Sequence, residues 1–487
     1  MSPFFFHFSN NTITLRIIFN DNFQKMTDTI KKSLRESKAA RWTALGIVAF
    51  TMFCGYYLQD ALSPLKPMLE REMGWDSSDF GVFRFAYGWL TVFAFMLIFG
   101  GIILDKMGVR FTGVTATLTM LTGASIKYWA LSSDSLTGVT HNILGIELSA
   151  QVLMVSVGFA VFCLGLEVVG ITVSKIIVKW FKGKEMALAM GLEMATARLG
   201  TALALFASPM IAEQYGLPRP VSLGLLLMVI GFLAFVMYTF ADKRLDASLK
   251  AEETISDEQE EGFALSDIRL IIRNKGFWLI AILCVLFYSA VFPFLNYAAD
   301  LMVNKFQIAE KYAGVIPSLL PFGTILLTPL FGNLYDRKGK GASIMILGSI
   351  LLIMVHAVFS IPWLNQTFVA VVLIILLGIG FSLVPSAMWP SVPKIIPEKQ
   401  LGTAYALIFW IQNIGLMFIP FIIGRILDKY CIVAKLVVDG KTVTRYDYTP
   451  VMILFTCLGI AALFFAFMLK KEDRKKVYGL EMPNIIK

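Results

Sequence analysis

The chain has 487 residues, of which 57% are hydrophobic and only 16% charged, with a formal net charge of +9. A soluble domain is about 25% charged, so a chain of mean hydropathy +0.71 has to be solvated largely by lipid. The bases lie beside apolar runs and not on a basic face interleaved with aromatics, which argues against nucleic acid. The five cysteines and three histidines form no metal-ligating cluster, and no nucleotide-binding loop is present, so neither a cofactor nor direct ATP drive is expected.

In chain order, residues 1–41 read as an N-terminal extension. Phe4-Phe5-Phe6 and Ile17-Ile18-Phe19 are too short for a signal peptide, and no cleavage site follows. Met26 opens an ordinary start, so the first 25 residues read as an added extension. At about 20 apolar residues per crossing, helical spans are expected at 42–64, 80–104, 112–132, 149–174, 186–212 and 219–241. After a polar gap come 277–304, 312–334, 342–362, 367–392, 402–426 and 449–470. These spans predict an all-α membrane protein with twelve transmembrane helices in two six-helix bundles, residues 42–241 and 277–470. The gap, 242–276, carries an acidic stretch from Glu252 to Glu261 and reads as a linker. Residues 471–487 form a basic tail.

Lys38 and Arg41, Lys106 and Arg110, Lys179 and Lys184, Arg337 and Lys340, and Lys470 and Lys476 all fall at one set of span ends. Loops 133–148 and 362–366 contain no Lys or Arg. The positive-inside rule therefore puts both termini, the linker and the tail in the cytoplasm. The loop 427–448 is a mild exception with four bases, and its Val437-Val438-Asp439-Gly440-Lys441 predicts a small hairpin.

Two short motifs stand about 230 residues apart. One is Gly101-Ile102-Ile103-Leu104-Asp105-Lys106-Met107-Gly108-Val109-Arg110, between spans 2 and 3. The other is Gly332-Asn333-Leu334-Tyr335-Asp336-Arg337-Lys338-Gly339-Lys340, between spans 8 and 9. A turn repeated at half the chain length marks two homologous halves. Its glycines are expected to let helices approach closely. Asp105 is expected to accept from a neighbouring helix N-terminus or to pair with Arg110.

Charges within spans are costly and face a cavity or a partner. Glu167 in span 4 and Arg198 in span 5 each lie ~20 Å from the 180–184 loop at about 1.5 Å per residue, near the middle of an apolar layer about 30 Å thick. A guanidinium clamps a carboxylate and a carboxylate takes an ammonium, so the pair suits a zwitterion; a structural ion pair is the alternative. With Glu193, all three buried charges considered sit in the first half. From the second half, Trp389 and Asn413 are expected to line the cavity, Asn413 occupying the place of Arg198, two residues before a Gly. Tyr57, Tyr87 and Tyr288 are further candidates for ligand contact or packing. Asp60 is expected near the outer surface, and it and Glu193 are the acids available for proton coupling.

The Gly-x-x-x-Asp-Lys/Arg-x-Gly turns resemble the signature loop of the major facilitator superfamily, over roughly residues 40 to 470. That resemblance implies alternating access by rocking of the bundles. Glu167, the stretch Trp180-Phe181-Lys182-Gly183-Lys184-Glu185, Arg198, Val291-Phe292-Pro293-Phe294, Ala387-Met388-Trp389-Pro390 and Ile411-Gln412-Asn413-Ile414-Gly415 resemble the lysosomal dipeptide-transporter branch. The likeness implies that Glu167 and Arg198 bind the two ends of a dipeptide, and that an accessory subunit is a partner. Glu193 stands where an uncharged amide is usual in that branch. Two other readings remain open. A small-anion carrier of the same fold is disfavoured because spans 8 and 11 offer no interior base; a non-transporting receptor has no attached domain to support it. The membrane is expected to be a plasma or bacterial inner membrane, or the lysosomal membrane in a eukaryote.

Overall fold

In a computed structural model the described residues are 37–136, 138–143, 146–181, 184–249, 265–397, 400–438 and 440–484. The start at Met26 and the acidic stretch of the linker lie outside them. The first half comprises α1 (Lys38–Asp60), a 3-10 turn (Ser63–Leu65), α2 (Lys66–Met73), α3 (Ser77–Phe85), α4 (Tyr87–Thr91), α5 (Met96–Ser132), β1 (Thr140–Ile143), β2 (Ile146–Ser149), α6 (Ala150–Phe181), α7 (Met186–Tyr215) and α8 (Arg219–Leu249). The second comprises α9 (Leu265–Ile271), α10 (Lys275–Phe306), α11 (Val315–Lys338), α12 (Gly341–Phe359), α13 (Thr367–Ile395), α14 (Leu401–Tyr430), β3 (Ile432–Val438), β4 (Lys441–Tyr446) and α15 (Thr449–Lys476). Among the described residues ten spans are long and apolar enough to cross a membrane. The other two passes are a broken one, through α3, α4 and the start of α5, and the rest of α5. The protein is a multi-pass membrane protein of two six-span halves. After twelve passes its two ends share one face, here the terminal face; the opposite one is the far face.

α1 shows how sequence sets these elements. The Ser37 hydroxyl caps its start by accepting from the Ala40 N–H at 3.3 Å. Past Asp60 the chain meets Pro64 and Pro67, which lack N–H groups, and tightens into the 3-10 turn. The last carbonyls of α1 are met by cations instead. Lys127 donates to the Leu58 carbonyl at 2.7 Å and Arg84 to that of Gln59 at 3.1 Å. The first span therefore runs on through α2 to Met73. Asp60, expected near the outer surface, is the last residue of α1 and is half-buried.

α5 bends at Gly108, whose φ of 78° and ψ of 171° only glycine adopts without strain. Beyond the bend the helix is rich in threonine. The hydroxyls of Thr117, Thr119 and Thr122 donate to carbonyls one turn back, which hides them from lipid. Small residues then let α5 and α6 touch. A Cβ on Gly158 would lie 2.6 Å from the Lys127 nitrogen, and one on Gly165 would lie 2.6 Å from the Ala116 carbonyl oxygen.

Three features depart from the sequence expectation. β1–β2 is an antiparallel hairpin that the sequence did not signal, on the far face with the expected hairpin β3–β4. The second closes with Val438 paired to Lys441, where the sequence expected a hairpin; the first carries no Asp-Gly. α8 continues past residue 241 to Leu249, because Asp242 and Asp246 face bases on neighbouring helices. The helical part of the tail ends at Lys476, and residues 477–484 fold back on the second half.

Gly158→Ala is expected to cost about 1–3 kcal/mol, the usual penalty for overpacking. A thermal melt of purified protein should show a fall of several degrees, and an unchanged melt would mean that the α5–α6 contact yields freely.

Candidate functional site

The two Gly-Asp turns lie on the terminal face, but their partners differ from those expected. Asp105 pairs with Lys175 of α6 at 2.6 Å rather than with Arg110. Arg110 and Lys179 share Asp242 and Asp246 of α8, with Lys179 2.8 Å and 2.6 Å from these two carboxylates. The bend at Gly108 turns Arg110 toward α8 and leaves Asp105 facing α6. Gly101 and Gly332 make no close helix approach: a Cβ on either would meet nothing within 4 Å. The glycines that the geometry needs are Gly108 and Gly339, both with positive φ. Lys106 and Arg337 are exposed. In the second half Asp336 accepts from the Asn484 side chain at 2.8 Å, and Lys394 donates to the Gly479 and Met482 carbonyls. The tail thus lies against the second turn. The matching cleft beside the first turn is lined by Asp105, Lys175 and Asp242.

On the far face the bundles are joined by polar contacts. Lys66 of α2, fully buried, lies 2.7 Å from Asp300 of α10 and 3.0 Å from Glu70. Tyr448 donates to Asp300, and Tyr446 of β4 donates to Glu70 at 2.7 Å. Asp428 of α14 accepts from the N–H groups of Ser77 and Ser78, capping α3 from across the interface. Arg71 pairs with Glu310. Gly81 and Gly424 bring α3 and α14 into backbone contact. Sequence reasoning passed over Lys66, Arg84 and Asp300, although the rule that picks out Glu167 applies equally to an acid inside span 277–304. Asp300 also corrects the expectation that buried charge is confined to the first half.

The centre holds the predicted ligand-binding residues. Glu167 of α6 accepts from the Tyr87 hydroxyl, which also lies 3.4 Å from the Asn413 side-chain oxygen of α14. Tyr87 therefore links a first-half carboxylate to a second-half amide. Arg198 of α7 lies over the rings of Phe292 and Phe381, 5.3 Å and 5.4 Å from their centroids. Among the described residues no carboxylate is within ion-pair distance of it, so Glu167 and Arg198 do not form the structural pair that was the alternative. Tyr56 lies within electrostatic reach of Glu167, Glu193, Arg198 and Asp60. Tyr57 faces away, its ring beside Gly224 of α8.

Asp60 is held by Thr201 at 2.9 Å and Arg84 at 3.6 Å. Glu193 is buried and has no hydrogen-bond or ion-pair partner among the described residues. Trp389 donates to the Tyr288 hydroxyl at 3.0 Å and stacks on Phe409 at 4.7 Å, forming an aromatic wall on the second bundle. The residues that sequence reasoning missed here are Tyr56, adjacent to a predicted tyrosine, and Phe381, one aromatic among many in apolar runs.

A family model described as Major Facilitator Superfamily matches residues 45–420. The chain is 29% identical over 403 residues to the lysosomal dipeptide transporter MFSD1 of Danio rerio, covering 80% of this chain and 81% of that one. It is 22% identical over 331 residues to a nitrite extrusion protein of Bacillus subtilis (strain 168), covering 67% and 73%. Among solved structures, a bacterial homolog to the human lysosomal transporter Spinster, in an inward-facing and unoccupied conformation, superposes with a TM-score of 0.66 at 12% identity, covering 90% of this chain and 98% of that one.

Breaking a buried ion pair by removing one partner costs about 3–5 kcal/mol. Lys66→Met is therefore expected to lower the melting temperature clearly, and Lys66→Met with Asp300→Asn to recover part of the loss. A single variant that melts like the parent would show that this cluster does not hold the far face closed.

Proposed function

The chain belongs to the Major Facilitator Superfamily, and from this premise we propose that it carries dipeptides, or closely similar zwitterions, by alternating access. It is a secondary transporter, and the finer reading concerns what it moves and how. The observation that carries this reading is that Glu167 and Arg198 share the centre of the molecule without pairing with each other. A solute with an ammonium at one end and a carboxylate at the other supplies the missing partner to both. Glu167, oriented by Tyr87 and Asn413, takes the ammonium. Arg198 offers its forked N–H edge to the carboxylate. Tyr56, Tyr288 and Trp389 are the surfaces for side chains, a role for which Tyr57 is turned the wrong way.

Lys66, Asp300 and Tyr446 close the far face, so the conformation fits one end state of a rocking cycle. The opposite state requires these bonds to break and the terminal face to close. The paired turns at Asp105 and Asp336 are the elements to re-seat there. Clustering of bases on the terminal face supports a cytoplasmic placement of both ends. The relatedness to a nitrite carrier keeps a small-anion reading in view. An anion carrier needs Arg198 and has no use for the Glu167 carboxylate, which gives the two readings different tests.

In proteoliposomes, dipeptide uptake is expected to fall at least tenfold in both Glu167→Gln and Arg198→Lys, with nitrite failing to compete. Nitrite uptake that survives Glu167→Gln, with no dipeptide uptake, would replace this reading with the anion one.

Energy coupling has its own test. Among the described residues Glu193 makes no hydrogen bond or ion pair, whereas Asp60 is engaged by Arg84 and Thr201. If transport is proton-driven through Glu193, then Glu193→Gln abolishes uptake driven by a pH gradient and leaves counterflow exchange intact. Equal loss or equal retention of both activities removes Glu193 from that role.

A further inference from the structure

Arg198 is half-buried near the middle of the bundle, and its charge lies 5.3 Å and 5.4 Å from the centroids of two rings. A ring face carries a negative quadrupole and attracts a cation within about 6 Å of its centroid. Both rings belong to the other bundle: Phe292 to α10 and Phe381 to α13. They meet edge to face, with centroids 5.4 Å apart and planes at 85°. Tyr288 buttresses both, at 5.6 Å and 5.7 Å, and is itself fixed by Trp389. The rings therefore form a rigid seat for a planar cation.

We propose that Phe292 and Phe381 are positioning residues for substrate: they hold the Arg198 guanidinium in place, with N–H donors free for a carboxylate. The proposal rests on the reading of Arg198 as the carboxylate clamp. Two aromatic faces stabilise a guanidinium without occupying its hydrogen-bond donors. A neighbouring carboxylate would satisfy those donors and compete with the substrate. The rings thus keep the arginine both oriented and vacant. Because Arg198 comes from the first half and the rings from the second, the clamp is assembled across the bundle interface. Re-seating the bundles takes it apart, so carboxylate affinity is tied to the conformation.

The test uses the full chain in proteoliposomes, with an unmodified dipeptide and its C-terminal amide, which lacks the carboxylate. In Phe292→Leu with Phe381→Leu, the dipeptide KM is expected to rise about tenfold with its maximal rate nearly unchanged. Weak competition by the amide should stay as in the parent, and Phe292→Tyr with Phe381→Tyr should restore the KM. An unchanged dipeptide KM, an equal weakening of dipeptide and amide, or a failure of the tyrosine variant to rescue would each overturn the positioning role. If the parent moves no dipeptide and moves nitrite instead, the dipeptide reading fails alone, and the KM for nitrite in the same variants then tests the seat.

Discussion

A charge inside a lipid-solvated bundle has to be answered by another group, and the answers organise this molecule. Water is absent from the apolar layer, so each interior lysine, arginine or acid either meets a partner in the protein or awaits one from outside. Lys127 and Arg84 meet the exposed carbonyls at the end of α1. Lys66 meets Asp300 and Glu70 and closes the far face. Glu167 meets Tyr87, which reaches Asn413. Arg198 lies over two ring faces and, among the described residues, has no carboxylate within ion-pair distance. Lys66, Lys127 and Arg84 are tied to oxygens of the protein, whereas Arg198 at the centre lies against rings.

The duplicated frame is used differently in its two halves. The first turn is held by ion pairs among α5, α6 and α8, through Lys175, Lys179 and Arg110. The second turn is held by the chain's own tail, through Asn484 on Asp336 and backbone bonds from Lys340 and Gly341 to Glu481 and Leu480. Similar motifs thus anchor two kinds of contact, electrostatic in one half and backbone-mediated in the other. The far face joins the halves by polar bonds from α2 and α3 of the first to α10, α14 and β4 of the second.

Much of this was legible along the chain. Apolar runs of membrane length place most of the helices, because lipid admits few other structures. The repeated turn marks the duplication, and Asp-Gly marks the second hairpin. Glu167, Arg198 and Asn413 stand out because polar groups are rare in such runs. What failed were statements about partners. Asp105 was expected to meet a neighbouring helix N-terminus or Arg110, five residues away, and instead meets Lys175, seventy residues on. Asp60 was expected near the outer surface; it ends α1 half-buried, held by Thr201 and Arg84, partners that its own stretch of sequence does not reveal.

The sequence by itself determined the solvent, the two-fold plan, the spans and the rare charges, since these follow from composition and local spacing. Only the tertiary structure decided which charges are paired and which are left open. Neighbouring residues on a helix point about 100° apart, so Tyr56 reaches the central charges while Tyr57 turns toward Gly224. Partners such as Lys66 and Asp300, or Arg198 and Phe381, lie far apart along the chain. The rotation of each helix and the seating of one bundle on the other bring them together, and no local pattern records either.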